Sequence, residues 1–291
     1  MLKLSFLGTF WAQIDGTNIK EFESSKVRAL LVYLVLEAGR PHSREHLSGL
    51  FWPDYEESRA GKSLRQALSN LRKSIRDSDA DNPLLAINTE SIQAVAGHPQ
   101  LWLDTIIFEN FVAECEKHPH RKLETCLACI TRLEQAAELY RGELLTGFFL
   151  KESDLFQNWL IARREYFHQK IITVLETLAI HYERCHQYQR AISCARRLVS
   201  QDEWREESHT LLMRLLASNS QRSAALKQYK TCCQILADEF GAEPQPETTH
   251  IYQQILNNKI STSKQLIVPN NLPRFGTTFI GRKNEILRII E

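Results

Sequence analysis

No apolar run in this chain approaches the roughly 18 residues that a membrane-spanning helix needs. No signal-peptide cleavage pattern follows the alternating apolar start MLKLSFLGTFWAQIDG, so the expectation is a cytoplasmic protein with no membrane partner. Cysteine is absent from the first 114 residues and totals seven, an odd number scattered over the remainder. That pattern suits reduced thiols and argues against a disulfide framework. Charge of either sign is not in excess: 36 Lys and Arg oppose 35 Asp and Glu, for a net of +1. A histone-like coater of nucleic acid is thereby excluded, and any nucleic-acid surface must be local. Low-complexity tracts are also missing, and 291 residues at 43% hydrophobic content are enough for two cored domains.

Catalytic groupings are scarce as well. No Ser/His/Asp or paired-carboxylate arrangement stands out, and His181, His186 and His209 fall in helical stretches, where packing or solvent contact is their expected role. The string Gly61-Lys62-Ser63 imitates the end of a phosphate loop, but the loop's first glycine would fall on Glu56. The cradle of backbone N–H groups is therefore absent. Cys115, His118, His120, Cys126 and Cys129 have donor types that can surround zinc. Cys126 and Cys129 lie three apart in the helical pattern LETCLACITRLEQAAELY, however, where cysteine often serves as a small buried hydrophobe. The adjacent Cys232 and Cys233 point to different helix faces, which argues against a redox pair. Neither an enzyme, nor a cofactor, nor a resident metal is expected on these grounds. Trp159, Trp204, Phe148, Phe149 and Phe156 are expected to be core, the alternative being a partner surface.

What is present is charge sorted along the chain. Residues 1–97 hold twelve basic and twelve acidic side chains, yet SRAGKSLRQALSNLRKSIR, residues 58–76, contains six basic residues and no acidic one. Leu64, Leu68, Leu71 and Ile75 recur at helical spacing and predict a buried stripe. Lys62, Gln66, Ser69 and Lys73 then lie opposite, with Arg59, Arg65, Asn70, Arg72 and Arg76 on the flanks. Cations reach phosphates, while Arg, Gln and Asn hydrogen-bond base edges. The rival reading of such a face is plain solvation.

The surroundings give this helix a place. Two short strands lead to a turn at Asp15-Gly16, and Ser24 or Ser25 can cap a helix running to Ala38, closed by Gly39. Ser43 can cap a second short helix, although His46 stands where a capping box would have an acid or amide. After the basic helix, LLAINTESIQAVAG reads as a hairpin turning at Asn88-Thr89-Glu90-Ser91. Strands, three helices and a hairpin form the order of a winged helix-turn-helix, an α+β domain with small β hairpins. From Asp104 to about Asn258 the chain reads as nearly continuous helix, broken at Pro119, Gly142, Gly147 and Gly241 to Pro244. YQRAISCA (188–195) is echoed 34 residues later by RSAALKQY (222–229), the period of tetratricopeptide-like helical pairs. The expected fold is mainly α: a winged helix over residues 1–97, an all-α TPR-like domain over 103–258, and residues 259–291 as a linker with the start of a further module.

The strings LSFLGTFWAQIDG (4–16), SSKVRALLVYLVLEAGRPHSREHLSGLFWPD (24–54), SRAGKSLRQALSNLRKSI (58–75), LYRGELLTGF (139–148) and LADEFGAEPQPETTHIYQQI (236–255) resemble the SARP-type bacterial transcriptional activators. These join an OmpR/PhoB-type winged helix to a bacterial transcriptional activator domain. The resemblance spans about residues 1–258. It implies that residues 59–76 are the recognition helix and that 88–91 are the wing tip. Gln66, Ser69 and Asn70 would then be the main base readers, with Lys62 and Arg65 as helpers. Arg59, Arg72, Lys73 and Arg76 would mainly hold phosphates, and Asn88, Thr89 and Ser91 would meet the backbone or minor groove. It also implies homodimers on promoter direct repeats and contact with RNA polymerase. The tail FIGRKNEI (279–286) resembles the entry motif of STAND-type ATPase modules, so the chain is expected to be the N-terminal part of a longer regulator, or a shortened relative of one. The competing expectation is a helical-repeat interaction scaffold controlling an ATPase module.

Overall fold

The computed structural model describes residues 1–19, 22–78 and 80–258. The resemblance at residues 279–286 lies outside them. Among the described residues no helix is long and apolar enough to cross a membrane.

The chain opens with strands β1 (Leu2–Ser5), β2 (Trp11–Ile14) and β3 (Thr17–Asn18). Helices α1 (Ser25–Leu36), α2 (Arg44–Phe51) and α3 (Glu57–Ser74) follow, with the two-residue strand β4 (His42–Ser43) between the first two. Strands β5 (Leu85–Ile87) and β6 (Ser91–Ala94) form the expected hairpin, and β4 pairs antiparallel with β6 as its third strand. Strand β7 (Leu101–Leu103) returns to lie parallel beside β1, completing a four-stranded sheet in the order β3-β2-β1-β7. This is a winged helix with an added N-terminal sheet.

The caps follow the sequence closely. Ser24 Oγ accepts from Val27 N at 3.3 Å and Ser43 Oγ from His46 N at 3.0 Å, each satisfying a donor the first helical turn leaves free. His46 turns its ring to Tyr33 Oη at 3.0 Å, a contact across elements rather than a capping box. Helix α1 is buried along most of its length, from Val27 to Val35 with only Arg28 half-exposed.

The helical half comprises α4 (Asp104–Lys117), a 3-10 turn at Leu123–Thr125, α5 (Leu127–Leu139), the long α6 (Asp154–Arg184), α7 (Tyr188–Gln201), α8 (Glu206–Ser218), α9 (Arg222–Phe240) and α10 (Pro246–Leu256). The period of 34 has a geometric counterpart. His186 and Ser220 both adopt left-handed backbone, with φ of 57° and 61°. The next N–H, of Gln187 or Gln221, returns to the carbonyl of Tyr182 or Leu216, at 2.8 Å in both cases. Equivalent helix ends thus start α7 and α9. Small residues sit where these helices pack: Ala191 and Ala225 are both fully buried.

The two halves share one apolar core. The loop after β1 runs beside the segment after α5: Leu145 N donates to the Phe6 carbonyl at 2.7 Å and Thr146 N to the Gly8 carbonyl at 2.8 Å. Gly8 has φ +126° and would place a Cβ 3.5 Å from that of Arg141, so both conformation and proximity favour glycine. The carboxylate of Asp104, fully buried at the start of α4, accepts from Phe6 N at 2.8 Å and Leu7 N at 3.1 Å. Arg164 of α6 donates to the carbonyls of Leu144, Leu145 and Phe148 at 2.9–3.2 Å. These bonds account for the LYRGELLTGF string: it is the strap that pairs with the N-terminal loop. At the opposite seam, Trp159 Nε1 and Arg163 of α6 both donate to Glu37, and Ser153 Oγ donates to the Leu50 carbonyl.

The aromatic expectation divides here. Phe148 and Phe156 are buried and Trp159 is half-buried, whereas Phe149 and Trp204 are 65% and 50% exposed. Phe149 follows Gly147 in a segment with no helical period to hold it inward. Trp204 stands in the short α7–α8 connection, edge-on to the exposed Phe240.

Candidate nucleic-acid interface

Helix α3 displays the two faces its sequence encodes. Ala60, Leu64, Ala67, Leu68 and Leu71, with Ile75 beyond its end, are at most 5% exposed and pack on the winged-helix core. Arg59, Lys62, Arg65, Gln66, Ser69 and Lys73 are exposed on the other side, and Asn70 is half-buried at the margin. Glu57 in the first turn and Arg72 and Lys73 in the last complement the helix dipole. Gln66 Nε2 donates to Asn70 Oδ1 at 3.2 Å, so these two amide side chains hold one another along the exposed face.

The flanking cations are less free. The Arg59 guanidinium lies 4.4 Å from the centre of the Tyr55 ring, a cation–π contact that fixes it at the start of the helix. Arg72 bends back to the buried Asp77, with Nε 3.8 Å from the carboxylate. Arg76 has left the helix. It sits at φ +54°, where Arg76 N returns to the Lys73 carbonyl and Asp77 N to the Arg72 carbonyl, the pattern of a Schellman cap with arginine in the usual glycine place. Its guanidinium reaches Asp15 at 3.7 Å, and both groups are exposed. The N-terminal ammonium and, less strongly, Arg76 hold the Asp15 carboxyl below its ordinary pKa. Asp77 in turn accepts from Leu84 N at 2.5 Å and Leu85 N at 3.4 Å, tying the end of α3 to the first wing strand.

The wing tip is a tight turn built on Asn88. Its Oδ1 accepts from Glu90 N at 2.9 Å and Ser91 N at 2.6 Å, so its side-chain oxygen shapes the turn. Thr89 is exposed and Ser91 half-buried. Arg44, the first residue of α2, donates through Nε and Nη2 to the Asn88 carbonyl at 3.1 and 2.9 Å. Sequence reasoning passes over Arg44, because the contact spans 44 residues and depends on β4 joining the hairpin.

A winged helix whose amphipathic third helix turns a polar, cationic face to solvent, locked to an array of helical hairpins, is a two-part architecture shared with relatives that are named as transcriptional regulatory proteins. The chain belongs to the bacterial transcriptional activator domain family, whose model matches residues 103–256, in the SARP-type arrangement with a winged helix ahead of that domain. It is similar to the regulatory protein AfsR of Streptomyces coelicolor, 26% identical over 97% of this chain and 28% of AfsR. It is also similar to the transcriptional regulatory protein MoaR1 of Mycobacterium tuberculosis, 24% identical over 88% of this chain and 79% of MoaR1. The chain thus spans about a quarter to a third of the length of AfsR. Among solved structures, Mycobacterium tuberculosis EmbR in complex with a low-affinity phosphopeptide superposes with a TM-score of 0.65 at 22% identity, over 88% of this chain and 65% of that one. That likeness establishes a shared fold.

Proposed function

We propose that this chain is a sequence-specific DNA-binding transcriptional activator that reads a promoter through α3. The observation that carries the reading is the exposed row Lys62, Arg65, Gln66, Ser69 and Lys73 above a fully buried apolar stripe. In the major groove such a row offers amide and guanidinium donors to base edges and ammonium groups to phosphates. Asn70 reads with Gln66, once the bond between them opens onto a base. Arg59 meets a phosphate at the N-terminal end. Arg72 and Arg76, paired with Asp77 and Asp15, contribute to the local field and reach phosphate only by exchanging those partners. Thr89, Ser91 and the backbone of Asn88 meet the neighbouring strand. Two copies on direct repeats, with the helical half touching RNA polymerase, complete the proposal.

Selection from a random pool of duplex DNA tests it. Enrichment of one motif, lost when Gln66 and Asn70 are both alanine, is the expected result. The absence of any enriched motif from folded protein would instead favour the interaction scaffold.

A further inference from the structure

We propose that His118, His120, Cys126 and Cys129 form a structural zinc site at the joint between α4 and α5. Zinc was not the expectation for these residues, because the two cysteines were placed within a helix. In the structure Cys126 stands one residue before α5, at its N-cap, and Cys129 lies in the first turn. On the other side of the joint His118 ends α4 with extended backbone, φ −70° and ψ 126°. Pro119 imposes that conformation, since a residue before proline is driven out of the helical region.

Each pair is therefore set by its spacing to act on one side. Residues two apart in extended chain share a face, which brings His118 and His120 together. Residues three apart on a helix are neighbours, which does the same for Cys126 and Cys129. The joint then closes one pair on the other. His118 Nδ1 lies 3.6 Å from Cys126 Sγ and 3.5 Å from Cys129 Sγ, and His120 Nδ1 lies 3.8 Å from Cys129 Sγ. The donor atoms of His118, His120 and Cys129 all fall within 4.8 Å of one another. Zinc bonds of about 2.3 Å to sulfur and about 2.05 Å to nitrogen, at the tetrahedral angle, put neighbouring donors about 3.5 Å apart. Those three separations are close to edges of such a tetrahedron; His118, His120 and Cys129 form the compact cluster, and Cys126 joins it through its 3.6 Å approach to His118. Two thiolates and two imidazoles in that shape select zinc among the common divalent ions.

The surroundings are consistent with a structural role. Cys129 is buried and the other three are half-buried, so the site is closed rather than open to a substrate. Helix α5 has no side-chain cap, and the positive end of its dipole lies beside the two sulfurs. Between Lys117 and Cys126 the joint reads HPHRKLET, with Leu123 and Pro119 its only apolar side chains. A segment so poor in core residues gains most from a metal clip. The clip would also support α6, because His181 Nδ1 of that helix bonds the Glu124 carbonyl at 2.9 Å. Cys115 is adjacent, but its thiol donates to the Cys129 carbonyl at 3.5 Å and is not needed as a ligand.

The test is metal analysis of the full chain, purified without a polyhistidine tag or chelator and in the presence of a reductant. About one zinc per chain is expected. Cobalt(II) added to the chelator-stripped protein should give the strong visible bands of a tetrahedral ion and a sulfur-to-cobalt charge-transfer band in the near ultraviolet. Cys126→Ser with Cys129→Ser should abolish that band, while Cys115→Ala and Cys233→Ala should keep it. His120→Ala should weaken cobalt binding at least tenfold. Absence of zinc together with absence of the charge-transfer band under excess cobalt overturns the proposal. A Cys126–Cys129 disulfide found in metal-free protein under the same reductant does so too. The cobalt spectrum of the unaltered chain decides the matter even if the variants fail to fold.

Discussion

At the scale of single residues, the proposed interface separates groups that differ in kind. Gln66 and Asn70 are exposed or marginal amides bonded to each other, so either one lost frees the other without disturbing the core. Gln66→Ala or Asn70→Ala should relax base preference at one position by about 1–3 kcal/mol, read by competition between the selected site and its single-base variants. Lys73 is exposed and near the helix end. Lys73→Ala should weaken all duplexes alike and reduce the slope of log affinity against log salt by about one. Unchanged affinity and slope in both classes would remove α3 from the interface. The exposed placement of these residues was legible in the sequence because a period of 3.6 assigns every residue of a helix to a side. The diversion of Arg72 and Arg76 was not legible. It depends on Asp77, buried by the wing, and on Asp15, brought close by the sheet.

At the scale of elements, α3 and the wing behave as a unit because Asp77 and Arg44 connect them. Asp77→Ala would leave Leu84 N and Leu85 N without their acceptor next to two buried leucines. A loss of about 1–3 kcal/mol in urea-unfolding free energy is expected. Arg44→Ala removes an exposed contact to the Asn88 carbonyl, so the global melting temperature should hardly move. Amide exchange at residues 88–91 should quicken, and no local change there would show that Arg44 does not hold the wing. Helix ends followed from sequence where a serine caps, as at Ser24 and Ser43, since the capping bond is local. Strand β4 was missed because two residues, His42 and Ser43, carry no pattern and become a strand only by pairing with β6.

At the scale of the whole molecule, the winged helix and helical half meet along two seams. In the first, Asp104→Ala would orphan Phe6 N and Leu7 N in the interior, costing about 1–3 kcal/mol for each lost partner. In the second, burial alone would raise the pKa of Glu37, but hydrogen bonds from Arg163 and Trp159 outweigh it and the net shift is downward. A depressed folded pKa means that this carboxylate adds stability above its unfolded value of about 4.5, and that the gain disappears as pH falls through the folded value. The melting temperatures of wild type and Glu37→Gln should therefore differ at pH 7 and converge towards pH 3. A gap that persists at pH 3 would show that charge is not the source.

Local information determined the two faces of α3, the serine-capped starts of α1 and α2, and the hairpin, because each follows from rules that act within a turn or two of chain. The strongly basic stretch of residues 58–76 in a protein of net charge +1 belongs to the same class of fact. Tertiary structure alone decided which cations remain exposed, how LYRGELLTGF straps the two halves, and that Phe149 and Trp204 face solvent. It alone brought His118, His120 and Cys129 together, with Cys126 beside His118, as the proposed zinc site requires. Most of these outcomes rest on groups far apart in sequence, whose meeting depends on burial and loop closure rather than on any period in the sequence.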